Sequence, residues 1–336
     1  MASGKIGSSL DDARAKFVEI MGSFRSDRER NDFLLWISME YDNDKCKPGF
    51  LNELESINKP DIDMKMNDIA MDIRKRVPQY SVFPSENLVV PTVGENKDCL
   101  PETTVHVDDF LYDDKEVDAL VESGELKGHY CLDCESRNTA PLTFISHSLS
   151  REKLNLVFNV MLPPNFTKKS TFDTSNNDIL CSCILDVGSR LGAALYAAYF
   201  YTDVQKLIGV EINADLCNLQ KEICEKYNLQ DRVEIINDDV LNQAQVVKSA
   251  QLIILNNPFE FFLEPSEQKK VWRFLKEYIS KGTILICVPA LETSFGNLNM
   301  KSELKSWVKK QEPYNMSAME SDAGEDLANM HMYIVL

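Results

Sequence analysis

The sequence predicts an α/β fold in which a mostly parallel sheet is covered by helices. Four apolar runs alternate with helical stretches, and each run ends in polar or acidic residues. These runs are CILDVGSRLG (183–192), LIGVEIN (207–213), VEIINDD (233–239) and LIILNNPFEFF (252–262). Because ligands of such sheets bind at the carboxyl ends of the strands, four polar ends at one edge predict a nucleoside site.

The turn after the first run discriminates between nucleoside cofactors. A dinucleotide-binding turn has the pattern GxGxxG, in which the second glycine lets the backbone approach a pyrophosphate. Placed on Gly188, this pattern meets Arg190 at the second glycine and Ala193 at the third. The phosphate-binding pattern GxxxxGK[ST] is also missing from this stretch. These departures disfavour NAD, FAD and nucleoside triphosphates, and they favour a cofactor without phosphates.

The same stretch resembles the class I S-adenosylmethionine (SAM) methyltransferases. Their first motif is an acidic residue followed by x-G-x-G-x-G, and DVGSRLG (186–192) keeps Asp186, Gly188 and Gly192. The resemblance covers roughly the C-terminal half of the chain. It implies a Rossmann-like sheet whose last strand, at 329–336, is antiparallel, with SAM as the cofactor and methyl transfer as the reaction.

The resemblance also implies roles for the residues at the strand ends. Glu211 stands where the family places the carboxylate that accepts both ribose hydroxyls, and Asp239 matches the acid that contacts the adenine amine. The methionine carboxylate is expected near Gly192, where a helix begins with free N–H groups. Arg190 replaces a family glycine, and it either pairs with that carboxylate or points to solvent. The predicted cofactor-binding residues are Asp186, Gly188, Ser189, Arg190, Gly192, Glu211, Asp238, Asp239, Val240 and Asn256.

The tip of the fourth run, Asn256-Asn257-Pro258-Phe259, resembles two acceptor-binding motifs. In the [DNS]PP[FY] motif of enzymes that methylate amine or amide nitrogens, the polar residue binds the target NH₂ and the aromatic ring stacks on it. In the NNxF motif of the non-SET histone lysine methyltransferases, Phe261 and Phe262 would help to wall a lysine channel. Both resemblances make Asn256, Asn257 and Phe259 the predicted catalytic residues and a lysine or amide nitrogen the acceptor. A third interpretation leaves Asn256 on the cofactor and Phe259 in the core.

Two classes of function follow from these motifs. The first is a SAM-dependent methyltransferase that acts on nitrogen in a protein or a small molecule. The second is a catalytically silent methyltransferase-like subunit that binds a partner, because Arg190 replaces a glycine and Asn257 replaces a proline. A dehydrogenase is disfavoured by the glycine pattern.

Composition bears on partners and compartment. The net charge of −17 over 336 residues repels long duplex nucleic acid and favours a basic protein or a small molecule. No apolar run reaches the ~18–20 residues of a membrane span. Nine cysteines, without an apolar signal core at the N-terminus, predict reduced thiols in the cytoplasm or nucleus. The oligomeric state is not predicted.

Three parts are predicted along the chain: an N-terminal helical region (1–95), a connecting region (96–148) and the methyltransferase domain (149–336). The spacing of apolar residues predicts helices over 10–42, 49–57, 61–76, 148–162, 268–279 and 302–310. Residues 84–98 are typical of a linker, and the acidic run 108–116 is typical of a solvated face.

A possible metal site lies in the connecting region. Cys131 and Cys134 have the C-x-x-C spacing of one half of a zinc site, and His147 is the predicted third ligand, with His129 as a neighbouring candidate. A second C-x-x-C is missing from the sequence, so unligated thiols are the alternative.

Overall fold

The computed structural model describes residues 10–24, 30, 33–34, 49–132, 139–163, 166–167, 180–315 and 329–336. The chain divides into two units, Met1–Asp61 with Thr171–Asn177, and Ile62–Ser170 with Asp178–Leu336. The predicted boundaries at 95/96 and 148/149 both fall inside the second unit and stay predictions. Among the described residues, no helix has the length and apolar character that a bilayer crossing requires.

The described part of the first unit is helical. Helix α1 spans Leu10–Ser23, and α2, Gly49–Arg74, begins in this unit and ends in the second. The prediction of two short helices over 49–57 and 61–76 is wrong, because α2 continues through Pro60. A proline removes one N–H donor from a helix, and here that loss does not end it. Most of the predicted helical stretch 24–42 lies outside the described residues.

Seven strands form the central sheet of the second unit. They are β5 Cys183–Val187, β6 Lys206–Glu211, β7 Val233–Asn237, β8 Leu252–Asn256, β9 Ile284–Val288, β10 Val308–Gln311 and β11 His331–Val335. Their order in the sheet is β10-β11-β9-β8-β5-β6-β7. The parallel pairs join β9, β8, β5, β6 and β7, whereas β11 runs antiparallel to both β9 and β10. The predicted mostly parallel sheet with an antiparallel last strand is therefore confirmed.

Helices cover both faces of this sheet, and every residue of β5 is buried, as expected for a central parallel strand. Ser150 caps α4 by accepting a hydrogen bond from Lys153 N at 3.1 Å, which confirms one of the predicted caps. A single π-helical turn, Val157–Met161, extends α4. The helices are α4 Arg151–Leu156, α5 Ala193–Tyr201, α6 Ala214–Lys226, α7 Ala244–Ser249, α8 Pro265–Tyr278 and α9 Leu291–Asn297.

The predicted helix over 302–310 is wrong. A short 3₁₀ turn, Lys301–Glu303, is followed by strand β10, whose Val308 lies opposite Val335 of β11. The ladder with the C-terminal strand overrides the local helical spacing, because pairing partners far away in the sequence decide whether a short segment becomes a strand.

Residues 104–145 add smaller elements to the second unit. Strand β1, Thr104–His106, pairs parallel with β4, Thr143–Ile145, and β2, His129–Cys131, pairs antiparallel with β3, Thr139–Pro141. Helix α3, Asp114–Glu122, begins with a capping box between Asp113 and Glu116.

The acidic run 108–116 is the predicted solvated face only in its second half, where Asp114 and Lys115 are exposed; its first half is largely buried. Asp108 is 1% exposed, and Phe110 and Leu111 are equally buried. The reason lies outside the run, since the Asp108 carboxylate pairs with Arg190 in the turn after β5.

Candidate cofactor and acceptor site

The strand order creates a crevice at the carboxyl ends of β5 and β8. From β5 the chain goes to β6 and β7 on one side, and it then returns to β8 and β9 on the other side of β5. This reversal is the topological switch point at which α/β sheets bind ligands. Asp186 lies opposite Gly209 of β6 and Ile254 of β8, and Asn256 ends β8. The predicted motif residues therefore meet at one edge of the sheet.

The turn after β5 needs glycine at two positions. Gly188 has φ +71°, and a Cβ on it would lie 3.3 Å from Cβ of Pro258, so the turn lies close to the tip of β8. Gly192, at φ +83°, begins α5, and a Cβ there would lie 2.6 Å from the Tyr196 hydroxyl. Arg190 has φ +44°, a left-handed conformation that glycine adopts more readily.

The side chain of Ser189 fastens this turn to α6. The Ser189 hydroxyl donates to Oε1 of Gln220 at 2.9 Å, and Nε2 of Gln220 donates to the Arg190 carbonyl at 2.8 Å. Ser189 and Gln220 are both buried. Ser189 was predicted to bind the cofactor, and the structure shows its hydroxyl engaged in holding the turn.

Glu211 at the tip of β6 binds the backbone of the turns that follow β5 and β6. Its Oε2 accepts from Arg190 N at 3.0 Å, and its Oε1 accepts from Asn213 N at 2.8 Å. Burial raises the pKa of Glu211, and the two backbone hydrogen bonds oppose this shift. Each carboxylate oxygen has a second lone pair, so the group retains the capacity to accept two hydroxyls.

Asp186 is the second buried acid of the crevice, with 6% of its surface exposed. Burial, together with the charge of Glu211, raises the pKa of Asp186 to about 7. Near neutral pH the Asp186 carboxyl is therefore only partly ionised. A cation bound beside Asp186 would lower this pKa and favour the ionised carboxylate.

Replacing Asp186 by asparagine is expected to stabilise the ligand-free protein by at least about 1 kcal/mol at pH 8. The folded-state pKa lies above the unfolded value of about 3.9, so the ionised form costs stability. This cost is absent below the unfolded pKa and grows as the pH rises through the folded pKa. Urea unfolding of both proteins at pH 5 and pH 8 measures it. An equal or larger gain at pH 5 would contradict the assignment.

The two acids after β7 have different roles. The Asp238 carboxylate accepts hydrogen bonds from Asn242 Nδ2 at 2.8 Å, Gln243 Nε2 at 2.6 Å and Asp239 N at 2.8 Å, and these bonds lower its pKa. Asp238 therefore shapes the loop. Asp239 is half-buried and uses Oδ1 to cap a short 3₁₀ turn that begins at the buried Val240.

Ile212 belongs to this site, although the sequence analysis missed it. It directly follows Glu211, and its side chain is 71% exposed. Asn237 Nδ2 donates to the Glu211 and Ile212 carbonyls at 3.1 and 3.0 Å, which holds the tip of β6 against that of β7. An apolar side chain between acidic strand tips offers a surface for a flat ring. The sequence signal was an isoleucine directly after the acid at a predicted strand end.

The Arg190 side chain takes neither of its predicted positions. Its guanidinium donates to Glu86 Oε1 at 3.0 Å and to Asp108 Oδ2 at 2.9 Å, and it also binds the Ser81 carbonyl. The side chains of Arg190, Glu86 and Asp108 are at most 6% exposed. Two buried carboxylates, rather than a cofactor carboxylate or water, neutralise this cation.

Residues 81–96, here termed the edge segment, follow the carboxyl edge of the sheet. Ser85 exchanges hydrogen bonds with Asn213 beyond β6, Glu86 binds Arg190 beyond β5, and Val89 N donates to the Phe261 carbonyl beyond β8 at 2.7 Å. The predicted linker over 84–98 is indeed largely without regular structure, apart from a 3₁₀ turn at Glu95–Asp98. It packs on the candidate site, so this stretch contributes directly to the walls of the crevice.

A histidine pair lies beside the tip of β8. His147 Nε2 is 2.9 Å from His106 Nδ1, and the carbonyl of His147 accepts a hydrogen bond from Asn256 Nδ2 at 3.1 Å. The rings of Phe261 and Phe262 pack on His147, with centroids 5.3 and 5.2 Å away. Burial, and then the charge of Arg190, lowers the pKa of both histidines. The pair is therefore neutral at physiological pH.

The zinc proposal stays a prediction. Cys134 lies outside the described residues, and Cys131 is exposed on β2. His147, the predicted third ligand, is buried among Phe261, Phe262 and His106. The described part of the chain contains no cluster of three or more metal-binding side chains.

The predicted acceptor residues at the tip of β8 separate in the structure. Phe259 is 6% exposed, and its ring packs edge-on against Trp272 with centroids 5.3 Å apart. Phe259 therefore packs in the core and does not face an acceptor in this structure. This agrees with the third interpretation of the sequence, in which Phe259 is a core residue. Asn256 is tied to His147, whereas Asn257 has φ +42° and lines an adjacent cleft.

Solved structures that are similar to this chain include several methyltransferases. An RNA methyltransferase from Salinibacter ruber, in complex with S-adenosyl-L-homocysteine, is 18% identical over 45% of this chain and 78% of its own, with TM-score 0.31. An O-methyltransferase from Bacillus cereus, also in complex with this molecule, is 12% identical over 46% and 74%, with TM-score 0.32. A putative O-methyltransferase from Klebsiella pneumoniae is 11% identical over 67% and 91%, with TM-score 0.34.

No protein-family model and no curated protein matches this sequence. At these identities and TM-scores, the fold assignment rests on the strand order and pairing of this sheet.

Proposed function

We propose that this chain is a SAM-dependent methyltransferase. The observation that supports it best is the grouping of Asp186, Glu211 and Asp239 at or just beyond the ends of three adjacent strands, β5, β6 and β7, of which β5 borders the switch point. A cofactor with an ammonium group, a ribose and an adenine, and no phosphate, matches three carboxylates better than a dinucleotide does.

Each part of the cofactor has a partner in this proposal. Asp186 faces the ammonium group, because a buried carboxylate with a raised pKa gains most from a nearby cation. Glu211 accepts the two ribose hydroxyls, Ile212 packs on the adenine, and Asp239 accepts from the adenine amine. The protein then holds the methyl group in line between sulfur and acceptor and excludes water.

The proposed acceptor is a nitrogen atom. Asn256 and Asn257 at the tip of β8 supply amide groups beside the crevice, and they match the two asparagines of the NNxF motif. Attack by the nitrogen lone pair forms the N–CH₃ bond while the S–CH₃ bond breaks, and the electron pair stays on sulfur. This step needs alignment more than any acid or base at the methyl group, and alignment can supply ~7–11 kcal/mol.

Calorimetric titration of the full chain with SAM, S-adenosylhomocysteine and NAD tests the cofactor assignment. Micromolar binding of the first two compounds and none of NAD is the expected result. A well-folded sample that binds none of the three would contradict it.

Replacement of Ile212 by serine is expected to weaken SAM binding by about tenfold, without a measurable loss of stability. A buried apolar contact of this size stabilises by about 1.5 kcal/mol, and 1.4 kcal/mol corresponds to tenfold in affinity. Because the side chain is 71% exposed without a ligand, the substitution removes little packing. Calorimetry measures the affinity for SAM, and thermal unfolding measures the stability of the variant. A loss of stability with unchanged affinity would place Ile212 outside the adenine site.

A second candidate function is a catalytically silent, partner-binding subunit. The position of Arg190 favours it, because this residue replaces a family glycine and its buried ion pairs tie the turn to the edge segment. The two functions differ in turnover. Release of S-adenosylhomocysteine from SAM in the presence of any acceptor would eliminate the silent subunit, whereas SAM binding alone would not.

A further inference from the structure

A cleft opens between the tips of β8 and β9, on the side of Pro258 away from the turn after β5. Its cavity volume, measured for the centres of water-sized molecules, is about 30 Å³, and the cleft is partly open to solvent. Pro258 contributes to its wall and also lies beside Gly188, so one residue separates the cleft from the turn after β5. Its lining includes Asn257, Phe259, Glu260, Trp272, Val288 and Pro289.

Glu260 is the one charged residue among the described residues that line this cleft. Its Oε2 accepts from Asn96 Nδ2 of the edge segment at 3.3 Å, and it has no described ion-pair partner. Burial raises the pKa of Glu260, and the amides of Asn96 and Asn257 oppose the shift. A half-buried carboxylate without a cation, in a wall of apolar and aromatic side chains, is stabilised by an incoming positive charge.

We propose that this cleft binds a primary ammonium group as the methyl acceptor, and that Glu260 is its counter-ion and proton acceptor. The inference rests on the proposed methyltransferase function and narrows its nitrogen acceptor to a protonated amine. The half-buried Val288 and Pro289 line the cleft with Glu260 and add apolar surface that suits the stem of an alkylammonium.

The chemistry balances with the groups that the site contains. One N–H bond of R–NH₃⁺ breaks and its proton moves to a Glu260 oxygen, which leaves R–NH₂ with a lone pair. The lone pair forms the N–CH₃ bond as the S–CH₃ bond of SAM breaks, and the electron pair remains on sulfur. The products are R–NH₂⁺–CH₃ and S-adenosylhomocysteine, and the Glu260 proton returns to water.

An amide acceptor fits this cleft less well. An amide is neutral, so it would leave the Glu260 carboxylate without compensation after water is displaced. The acid also repels an anionic substrate. A primary amine on an apolar stem matches both the charge and the walls.

Two probes that differ only in charge test the inference. Nα-acetyl-lysine methylamide carries the ammonium, and Nα-acetyl-norleucine methylamide lacks it. Binding of each is measured by NMR titration of the full chain, with and without S-adenosylhomocysteine. We expect the lysine probe to bind at least about tenfold more tightly, as a charged hydrogen bond of about 1.5 kcal/mol or more requires.

Glu260→Gln is expected to abolish this preference, since glutamine keeps the shape of the side chain and removes its charge. Glu267→Gln on α8 is the matched control, because that residue is outside the cleft and pairs with Lys270. It should leave the preference intact. Equal binding of both probes to the wild-type protein, or an intact preference in Glu260→Gln, would overturn the inference.

Proton transfer has a separate readout. With SAM and the lysine probe, methylation followed by mass spectrometry should rise with pH in the wild-type protein, along a limb that Glu260→Gln shifts to higher pH. An unshifted limb would refute the proton-acceptor role. If SAM binds but the two probes bind equally well, the ammonium site is refuted while the proposed methyltransferase function stands. If SAM does not bind, the proposed function fails while the probe result still reports on the cleft.

Discussion

Replacing Arg190 by methionine is expected to lower the free energy of unfolding by about 3–5 kcal/mol at pH 8. Methionine fills similar space but leaves the Glu86 and Asp108 carboxylates buried without their cation. Both are at most 4% exposed in the folded protein, so water cannot replace the guanidinium. Lysine is not expected to rescue the loss, because one ammonium cannot donate to both carboxylates and the Ser81 carbonyl in the geometry of the planar fork.

The pH dependence of this loss identifies its cause. Burial already raises the pKa of Asp108, and Arg190 opposes that shift. Without the arginine, the folded-state pKa of Asp108 rises further above its unfolded value. The penalty from Asp108 is then full above the raised pKa and shrinks as the pH falls toward about 4. Urea unfolding at pH 8 and pH 5 should therefore show a smaller difference at pH 5.

The matched control is Arg76→Met. Arg76 also pairs with a glutamate, Glu222, but the two side chains are 47% and 57% exposed. Exposed pairs contribute about 0–1 kcal/mol, so this variant should remain close to wild type. The triple variant Arg190→Met, Glu86→Gln, Asp108→Asn should recover part of the loss. Similar small losses in both arginine variants would show that the buried cluster does not fasten the edge segment to the sheet.

The sheet and the ends of its strands could be predicted because their signals are local. Buried parallel strands are continuous apolar runs, and the polar residue that ends each run marks its exit from the core. Asp186, Glu211 and Asn256 were located in this way, and the structure brings them to one edge. The antiparallel last strand followed from the family resemblance.

Most of the features that the sequence did not predict depend on contacts between residues that are far apart in the sequence. Arg190 lies 104 residues from Glu86 and 82 residues from Asp108, and no local pattern links them. Asp108 therefore looked like part of a solvated acidic run, although it is buried. The same limit explains β10, which resembled a helix until its pairing with β11 was known. Phe259 matched an acceptor motif, but its contact with Trp272 depends on how α8 packs.

Glu211→Gln is expected to weaken SAM and S-adenosylhomocysteine binding by about 100-fold or more. Two ribose hydroxyls donate to the carboxylate in the proposed complex, and hydrogen bonds to a charged group contribute about 1.5–3 kcal/mol each. Glutamine retains one acceptor oxygen and replaces the other by an N–H donor. That donor faces either Arg190 N or Asn213 N, both of which now donate to Glu211, so the turn also loses a hydrogen bond.

The structural loss and the loss of affinity must therefore be separated. Urea unfolding of Glu211→Gln without ligand measures the first, and calorimetry at a temperature where the variant is folded measures the second. Asp215→Asn removes the same charge from an exposed position on α6, four residues away, and should bind SAM like the wild-type protein. This control removes the effect of net charge on the affinity.

The two possible outcomes imply different functions for this protein. If Glu211→Gln loses affinity and Asp215→Asn does not, the carboxyl edge between β5 and β6 holds the cofactor, and Arg190 fastens the edge segment around a working site. If wild-type protein binds SAM and Glu211→Gln binds it equally well, the cofactor lies elsewhere and the acids at the strand ends have structural roles. In that case the buried cluster of Arg190, Glu86 and Asp108 would close this edge of the sheet. This result would favour the second candidate function, the silent partner-binding subunit.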